Sequence, residues 1–345
     1  MATLTQKFLS MADVYKRTDG MGNIAQIMEM MNGTAQDIFT DFTMMECNDG
    51  TKHIYTTRTG LSPVGWGALY EGIIQGKTTT QQVTETTGFA EKLISVDERV
   101  LALAGANAMA IRAQESEADV ESMAQELVTS LFYHNPAVNA RLPRGLAPRF
   151  GALATSGAGR QIIDAGGVGS DNSSIWFVTW GGSGLNCIYP NGTTGGIKQE
   201  DMGRQRVLDA AGNPYFVQEE KVSAHCGFSL GDYRRVVRVA NVDISDTIAG
   251  SVDLFRFLRA GYYRVQGLRN KNVAVTNDTM PGRTVIYCNS TILEALDALG
   301  TGSGSAGSTR LQLKTQEIEG KEVLTYRGIP IRETEALLST EARVI

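Results

Sequence analysis

Residues 51–94 read TKHIYTTRTGLSPVGWGALYEGIIQGKTTTQQVTETTGFAEKLI and run on into a long acidic segment at about 107–133. The flanks of the stretch are rich in Thr and other β-branched residues, while its middle carries Trp66, Leu69, Tyr70, Ile73 and Ile74. Two flanking strands of roughly 20 residues a side, at ~3.3 Å per residue, predict a ribbon on the order of 60 Å long. A compact chain of 345 residues has a radius of gyration near ~20 Å. The ribbon therefore overshoots its own body, and a two-stranded ribbon cannot bury apolar residues near its tip. Another copy of the same chain is the simplest cover for them.

The acidic segment reads as one helix. Asn107 follows the break at Gly105 as an N-cap, and roughly 27 residues at 1.5 Å each give ~40 Å. Val120, Met123, Leu127 and Leu131 form a narrow apolar stripe, with Glu115, Glu117, Asp119, Glu121 and Glu126 on the other sides. A helix of this kind packs on one face. Its acidic residues are either a solvated surface or the partners of basic residues, such as Arg58 or Lys77, on a neighbouring copy's arm.

Composition narrows the function classes. An apolar fraction of 42% excludes a disordered chain, and 38 glycines point to many turns and long loops. A net charge of −5 gives no global basic signal for nucleic acid. Cys47, Cys187, Cys226 and Cys288 form no C-x-x-C pair and read as buried free thiols in a reducing compartment. No signal peptide and no run of ~18 apolar residues is present, so a cytoplasmic origin without a membrane is expected.

Elsewhere the pattern is of an α+β body. Ile24, Ile27, Met28 and Met31 recur at helical spacing, followed by Ile38 and Phe42, and a methionine cluster there reads as core filler. A proline-containing linker follows His134. A strand is predicted at 175–180, and a hairpin is predicted from 215–225 and 233–242, joined by GFSLGD. Residues 246–263 read as helix, 272–276 and 284–288 as strands, and 300–309 as a loop. Thr291 and Glu294 match a capping box, and the chain closes as strand, turn, strand through YRGIPI.

Two strings suggest phosphate binding and fail on physical grounds. Gly72-Ile-Ile-Gln-Gly76-Lys77-Thr78 is one residue short of a P-loop and precedes strand-forming sequence instead of a helix. Gly302-Ser-Gly304-Ser-Ala-Gly307 has a helix before it and a strand after it, the reverse of a dinucleotide site. His53, His134 and His225 lack metal spacing. The sequence presents no catalytic, cofactor or metal centre, so a soluble oligomeric enzyme using the Gly-rich loops is a remote alternative.

The succession TTRTGLSPVGWGALYEGI, TTQQVTETTGFAEKLISVD, LFYHN, GLAPRF, IIDAGGVGSDNSSIWFVTWG, IYPNG, DYRRVVRVANVDIS and YRGIPI resembles the major capsid proteins of short-tailed bacteriophages, the group typified by epsilon15 and the Bordetella tropism-switching phages. The resemblance implies the Hong Kong 97 capsid fold. By position it implies an N-terminal arm at 1–50, an extended E-loop at 51–94 and a P-domain with the spine helix at 95–146. It further implies an A-domain at 147–186 and 248–326, a long P-domain hairpin at 187–247 and a C-terminal strand and tail at 327–345. The function implied is a shell of hexamers and pentamers around double-stranded DNA, with an encapsulin-type shell around cargo as the alternative. Implied partners are further copies of the chain, a separate scaffolding protein, a portal protein and packaged DNA without specific recognition, with a cement or decoration protein left open. The residues expected between subunits are Arg58, Trp66, Leu69, Tyr70, Ile73, Ile74, Lys77, Glu115, Glu117 and Glu121.

Overall fold

The apolar run around 175–180 lies at the centre of the molecule. In the computed structural model, which describes residues 38–209, 211–265, 282–301, 314–318 and 321–345, this run belongs to a strand, Asn172–Trp180, with all 9 residues buried. Strand side chains alternate between faces. Trp176, Val178 and Trp180 enter one core, and Ile175 and Phe177 enter a second.

The elements follow in chain order. First come β1 (Met44–Glu46), β2 (Lys52–Gly60), β3 (Thr79–Thr86), β4 (Gly88–Asp97) and the helices α1 (Glu98–Ala104) and α2 (Ala108–Tyr133). Next are β5 (Ile162–Asp164), β6 (Asn172–Trp180), β7 (Leu185–Tyr189), β8 (Gly196–Leu208), β9 (Pro214–Leu230) and β10 (Val236–Asp243). Helices α3 (Ile244–Ile248) and α4 (Leu254–Arg264), strand β11 (Arg283–Cys288), helix α5 (Ser290–Thr301) and strands β12 (Lys314–Ile318), β13 (Lys321–Tyr326) and β14 (Ile329–Glu333) complete the chain. Most strands join one sheet, whereas β2 and β3 form a separate two-stranded ribbon. One core lies between α2 and the central sheet, where Leu131 and Phe132 meet Trp176 and Tyr287. The other holds Leu254, Leu258, Ile292 and Leu296 against Phe177 and Ile286. At Gly261 of α4 an added Cβ would stand 2.5 Å from the Phe177 ring, so this helix approaches β6 only through a glycine.

The hairpin differs from the sequence expectation. Residues 215–225 and 233–242 are not paired with each other. Strand β9 runs uninterrupted to Leu230 and pairs with β8, β4 and β7, while β10 pairs with β5 and β6. The true hairpin is β8–β9, turned at 209–213, where Asp209 Oδ1 accepts from the amides of Ala211 at 2.9 Å and Asn213 at 2.8 Å and Gly212 adopts φ +83°. Strand β8 is missed because no position along it is fully buried, so no hydrophobic alternation marks it.

The long helix spans Ala108–Tyr133, and a 3₁₀ turn, Gly105–Asn107, precedes it; Asn107 makes no side-chain cap hydrogen bond. It packs on more than one face. Beyond residue 122, Met123, Ala124, Leu127, Val128, Ser130, Leu131 and Phe132 are all buried. The enclosure comes from the linker. The amides of Gly145, Leu146 and Ala147 donate to the carbonyls of His134, Leu131 and Phe132 at 2.8, 2.8 and 2.7 Å, satisfying helix-end carbonyls that would otherwise lack partners. The region predicted as one helix at 246–263 is two, α3 and α4. The cap of α5 is Asn289, whose Oδ1 accepts from the Thr291 amide at 3.0 Å, and not Thr291 itself. The expectations for residues 24–31, 272–276 and 302–309 lie outside the described residues, and 300–301, read as the start of that loop, are the last residues of α5.

Three buried ionic groups tie distant segments together. Asp41 accepts from Tyr287 at 2.9 Å and pairs with Arg332 at 3.2 Å and Arg283 at 3.1 Å. Glu341 pairs with Arg238 at 2.8 Å and accepts from Tyr133 and Ser174, which anchors the C-terminal tail. Glu85 of β3 meets Arg149, with Nη2 donating to Oε2 at 2.9 Å and the second fork contact closing the pair. Arg149 Nη2 also donates to the Phe228 carbonyl at 2.8 Å, so β3 and β9 are joined through one side chain. Tyr55 of β2 donates to the Leu230 carbonyl at 2.6 Å, and burial together with the Glu85 charge pushes its hydroxyl up to about 12. Removing one partner of a buried pair leaves a charge with no counterpart and costs about 3–5 kcal/mol. Arg149→Met is expected to lower the unfolding free energy by an amount in that range, read as a lower urea midpoint at unchanged m-value, and a loss below about 1 kcal/mol would show that the pair does not anchor the arm.

Candidate intersubunit surface

The ribbon is shorter than its sequence suggests. Only Lys52–Gly60 and Thr79–Thr86 pair, which at ~3.3 Å per residue makes about 30 Å of ladder. Residues 88–94, expected to extend the arm, belong to β4 and pair along their whole length with β9 of the body. Between the strands, residues 61–78 form no regular structure beyond one turn, in which the Glu71 amide donates to the Ala68 carbonyl at 3.2 Å. The limbs of this loop stay side by side: the backbone of Gly65 lies against the Ile74 side chain and Gly76 against Pro63.

That contact is the only shelter the apolar residues have among the described residues. Trp66 is 101% exposed, Tyr70 107% and Ile74 60%. Leu69 and Ile73 are open too, as are Leu61 and Val64, which were not singled out in the sequence. Every residue from 63 to 82 is exposed, Lys77 among them, and so is Arg58 on β2. The signal for Leu61 and Val64 was available in the same stretch, since both sit between its glycines.

The helix acids separate into different environments. Glu117 is exposed and Glu115 half-buried, while Glu121 is buried at 8% and accepts from Gln125 Nε2 at 3.2 Å, so it does not belong to a solvated face. Asp119 pairs with Lys92 of β4, and Glu126 lies 3.2 Å from His134 Nε2. Arg112 reaches Asp201 of β8 at 3.2 Å, and Ser116 donates to Glu220 of β9 at 3.1 Å. Much of this helix's polar surface is thus used within the chain to seat α2 on β4, β8 and β9.

The remaining chemistry-bearing residues sit in the body. All four cysteines are buried and free, with Cys187 and Cys226 Sγ atoms 3.4 Å apart; their mutual contact, then burial, raises the Cys226 thiol well above its usual range. His225 stacks on Phe89 with centroids 4.4 Å apart. Among the described residues no three His, Cys, Asp or Glu side chains are grouped to hold a metal, and no helix is long and apolar enough to cross a membrane. The string at 72–78 lies in the exposed loop ahead of strand β3, not a helix.

Comparison with known proteins agrees with this architecture. The capsid of bacteriophage Epsilon15 superposes with a TM-score of 0.76 at 29% sequence identity, covering 100% of this chain and 99% of that one. Weaker likenesses are to the bacteriophage JBD30 capsid, with a TM-score of 0.49 and 11% identity over 90% of this chain and 96% of that one, and to the SrpI encapsulin of Synechococcus elongatus, at 0.43 and 10% over 68% and 97%. No curated protein sequence matches. The fold is of the Hong Kong 97 type. The model of the family described as "Major capsid protein GP7" matches residues 19–345, so an exposed apolar arm, a long helix seated on a three-stranded extension and a two-core body are here the parts of a phage major capsid protein, and the chain belongs to the GP7 family.

Proposed function

We propose that this capsid protein forms the hexamers and pentamers of an icosahedral head around double-stranded DNA, with residues 61–78 of each copy covered by a neighbour. The observation that carries this reading is the full exposure of Trp66 and Tyr70 at the end of a ribbon whose base is fixed by buried contacts. An aromatic side chain presents ~150–250 Å², and burial contributes ~25 cal/mol per Å². Several such residues from every copy offset the cost of association without any one contact being strong. Weak contacts repeated many times also let a growing shell correct errors before it closes.

In this reading residues 51–87 are the E-loop, α2 is the spine helix and the β8–β9 hairpin with β4 completes the P-domain. The A-domain comprises the segments around β6, β10 and β11 with α4 and α5. Arg58 and Lys77 flank the loop and offer cations to Glu115 or Glu117 of an adjoining copy. The role is structural and not enzymatic. Assembly takes place in the host cytoplasm with a separate scaffolding protein and a portal protein, and DNA is enclosed without base recognition. The encapsulin-type alternative differs in content, so nucleic acid in purified particles distinguishes the two.

Trypsin is expected to cut after Arg58 or Lys77 rapidly in the free subunit and at least about tenfold more slowly in assembled particles; equal rates in both states would contradict coverage of the loop. Trp66→Asp is expected to lower the yield of sedimenting particles severalfold while leaving the subunit's circular dichroism unchanged. Particles at normal yield from that variant would remove the loop tip from the contact.

A further inference from the structure

A second surface concentrates positive charge far from any role assigned to it. Helix α4 ends at Tyr263 and Arg264; beside it lie the 3₁₀ turn Gly157–Gln161, which carries Arg160, and the turn Tyr233–Arg235, which carries Arg234. These pieces border an open cavity of about 430 Å³ at the surface, lined by Arg160, Gln161, Tyr233, Arg234, Tyr263 and Arg264 among others, a size within the range of small-ligand sites, ~300–1,000 Å³.

The charges there are not balanced. Arg234 is held in a fork by Asp232, with Nε to Oδ1 at 2.9 Å and Nη2 to Oδ2 at 2.8 Å. Arg264 donates through Nη1 to the backbone carbonyls of Arg160 and Ile162, both at 2.9 Å, which fixes its position without neutralising it. Among the described residues neither Arg160 nor Arg264 has a carboxylate within ion-pair distance. Burial and then the charge of Arg160 lower the Arg264 pKa, as like charges held together without a counterion require. Tyr263 accepts from Arg327 Nη1 at 3.2 Å, which leaves its own hydroxyl hydrogen to donate. Gln161 is 5% exposed and its side-chain oxygen has no hydrogen-bond partner, but as an acceptor it offers nothing to an anion, so the cations and hydroxyls carry the site.

We propose that this cavity binds a phosphate-bearing anion through Arg160 and Arg264, with Arg234 and the Tyr233 and Tyr263 hydroxyls at its rim. Guanidinium forks match phosphate oxygens in geometry, and a multiply charged oxyanion balances three arginines and one aspartate better than a single carboxylate does. The site is independent of the arm, so its failure would leave the shell reading untouched. Two sources carry this chemistry: a free polyphosphate and the backbone of nucleic acid.

The test is calorimetric titration of the full-length unassembled subunit with inorganic triphosphate at low salt. Saturable binding near one anion per chain is expected, weakened about tenfold or more by Arg160→Gln. The Arg160 side chain is exposed and makes no hydrogen bond within the described structure, so this variant keeps its fold, which circular dichroism checks; Arg264→Gln is the second variant. A short DNA duplex is then added as competitor. Displacement of triphosphate identifies nucleic-acid phosphates as the source, and binding of triphosphate without displacement identifies a free polyanion. No saturable binding, or equal affinity in the wild-type chain and Arg160→Gln, would overturn the proposal.

Discussion

A carboxylate and a guanidinium meet at the root of the arm where water scarcely reaches, and their pairing decides where the ribbon leaves the body. Glu85 and Arg149 are both nearly inaccessible, and the same guanidinium also binds the Phe228 carbonyl. Neither group can be withdrawn alone without leaving a buried charge, so the base of the ribbon is held in one place. Beyond it, residues 63–82 meet solvent throughout. The chain thus combines a fixed root with an uncovered tip. A root that wandered would present the tip in many orientations, and the ordering cost on assembly would rise accordingly.

The same device recurs at both ends of the described chain. Asp41 near the first described residues is enclosed by Tyr287, Arg283 and Arg332, and Glu341 near the last is enclosed by Arg238, Ser174 and Tyr133. Asn241 adds a backbone-like pair with Val344, donating to its carbonyl and accepting from its amide, both at 2.8 Å. The tail therefore closes the core beneath α2 instead of trailing from it, and it contributes to the enclosure that makes this helix buried on several sides.

How much of this was legible in the sequence depends on whether the signal is local. The strand at 175–180 is a run of β-branched and aromatic residues bounded by glycines, and the 107–133 helix has a sustained period, so both stand out. Strand β8 does not, because it is half-buried at best and no fully buried position enforces alternation along it. The sequence ends the strand that becomes β9 at His225, since Gly227 suggests a turn; in the structure that glycine permits close packing, as a Cβ would stand 2.8 Å from the Thr86 carbonyl oxygen. The apolar loop residues were legible because large hydrophobics between Gly, Ser and Pro have no helix or strand to hide in. Glu85, Asp41 and Glu341 were not, since an acid that will be buried with a distant arginine looks in sequence like any surface acid. Arg238 did leave a trace: it interrupts VVRVANV at an inward position, which marks a charge with a partner.

Strand β9 carries a mechanical consequence. Its 17 residues are laddered to β8 and β4 over the outer part and to β7 near Leu230, without a break between. A load applied at the 209–213 turn would be borne in shear by those ladders and delivered straight to the middle of the molecule, as along a beam with no joint. Compliance under stress is left to the exposed loop at 61–78, which has no ladder to stiffen it, so the subunit is stiff along β9 and yielding at the end of its ribbon.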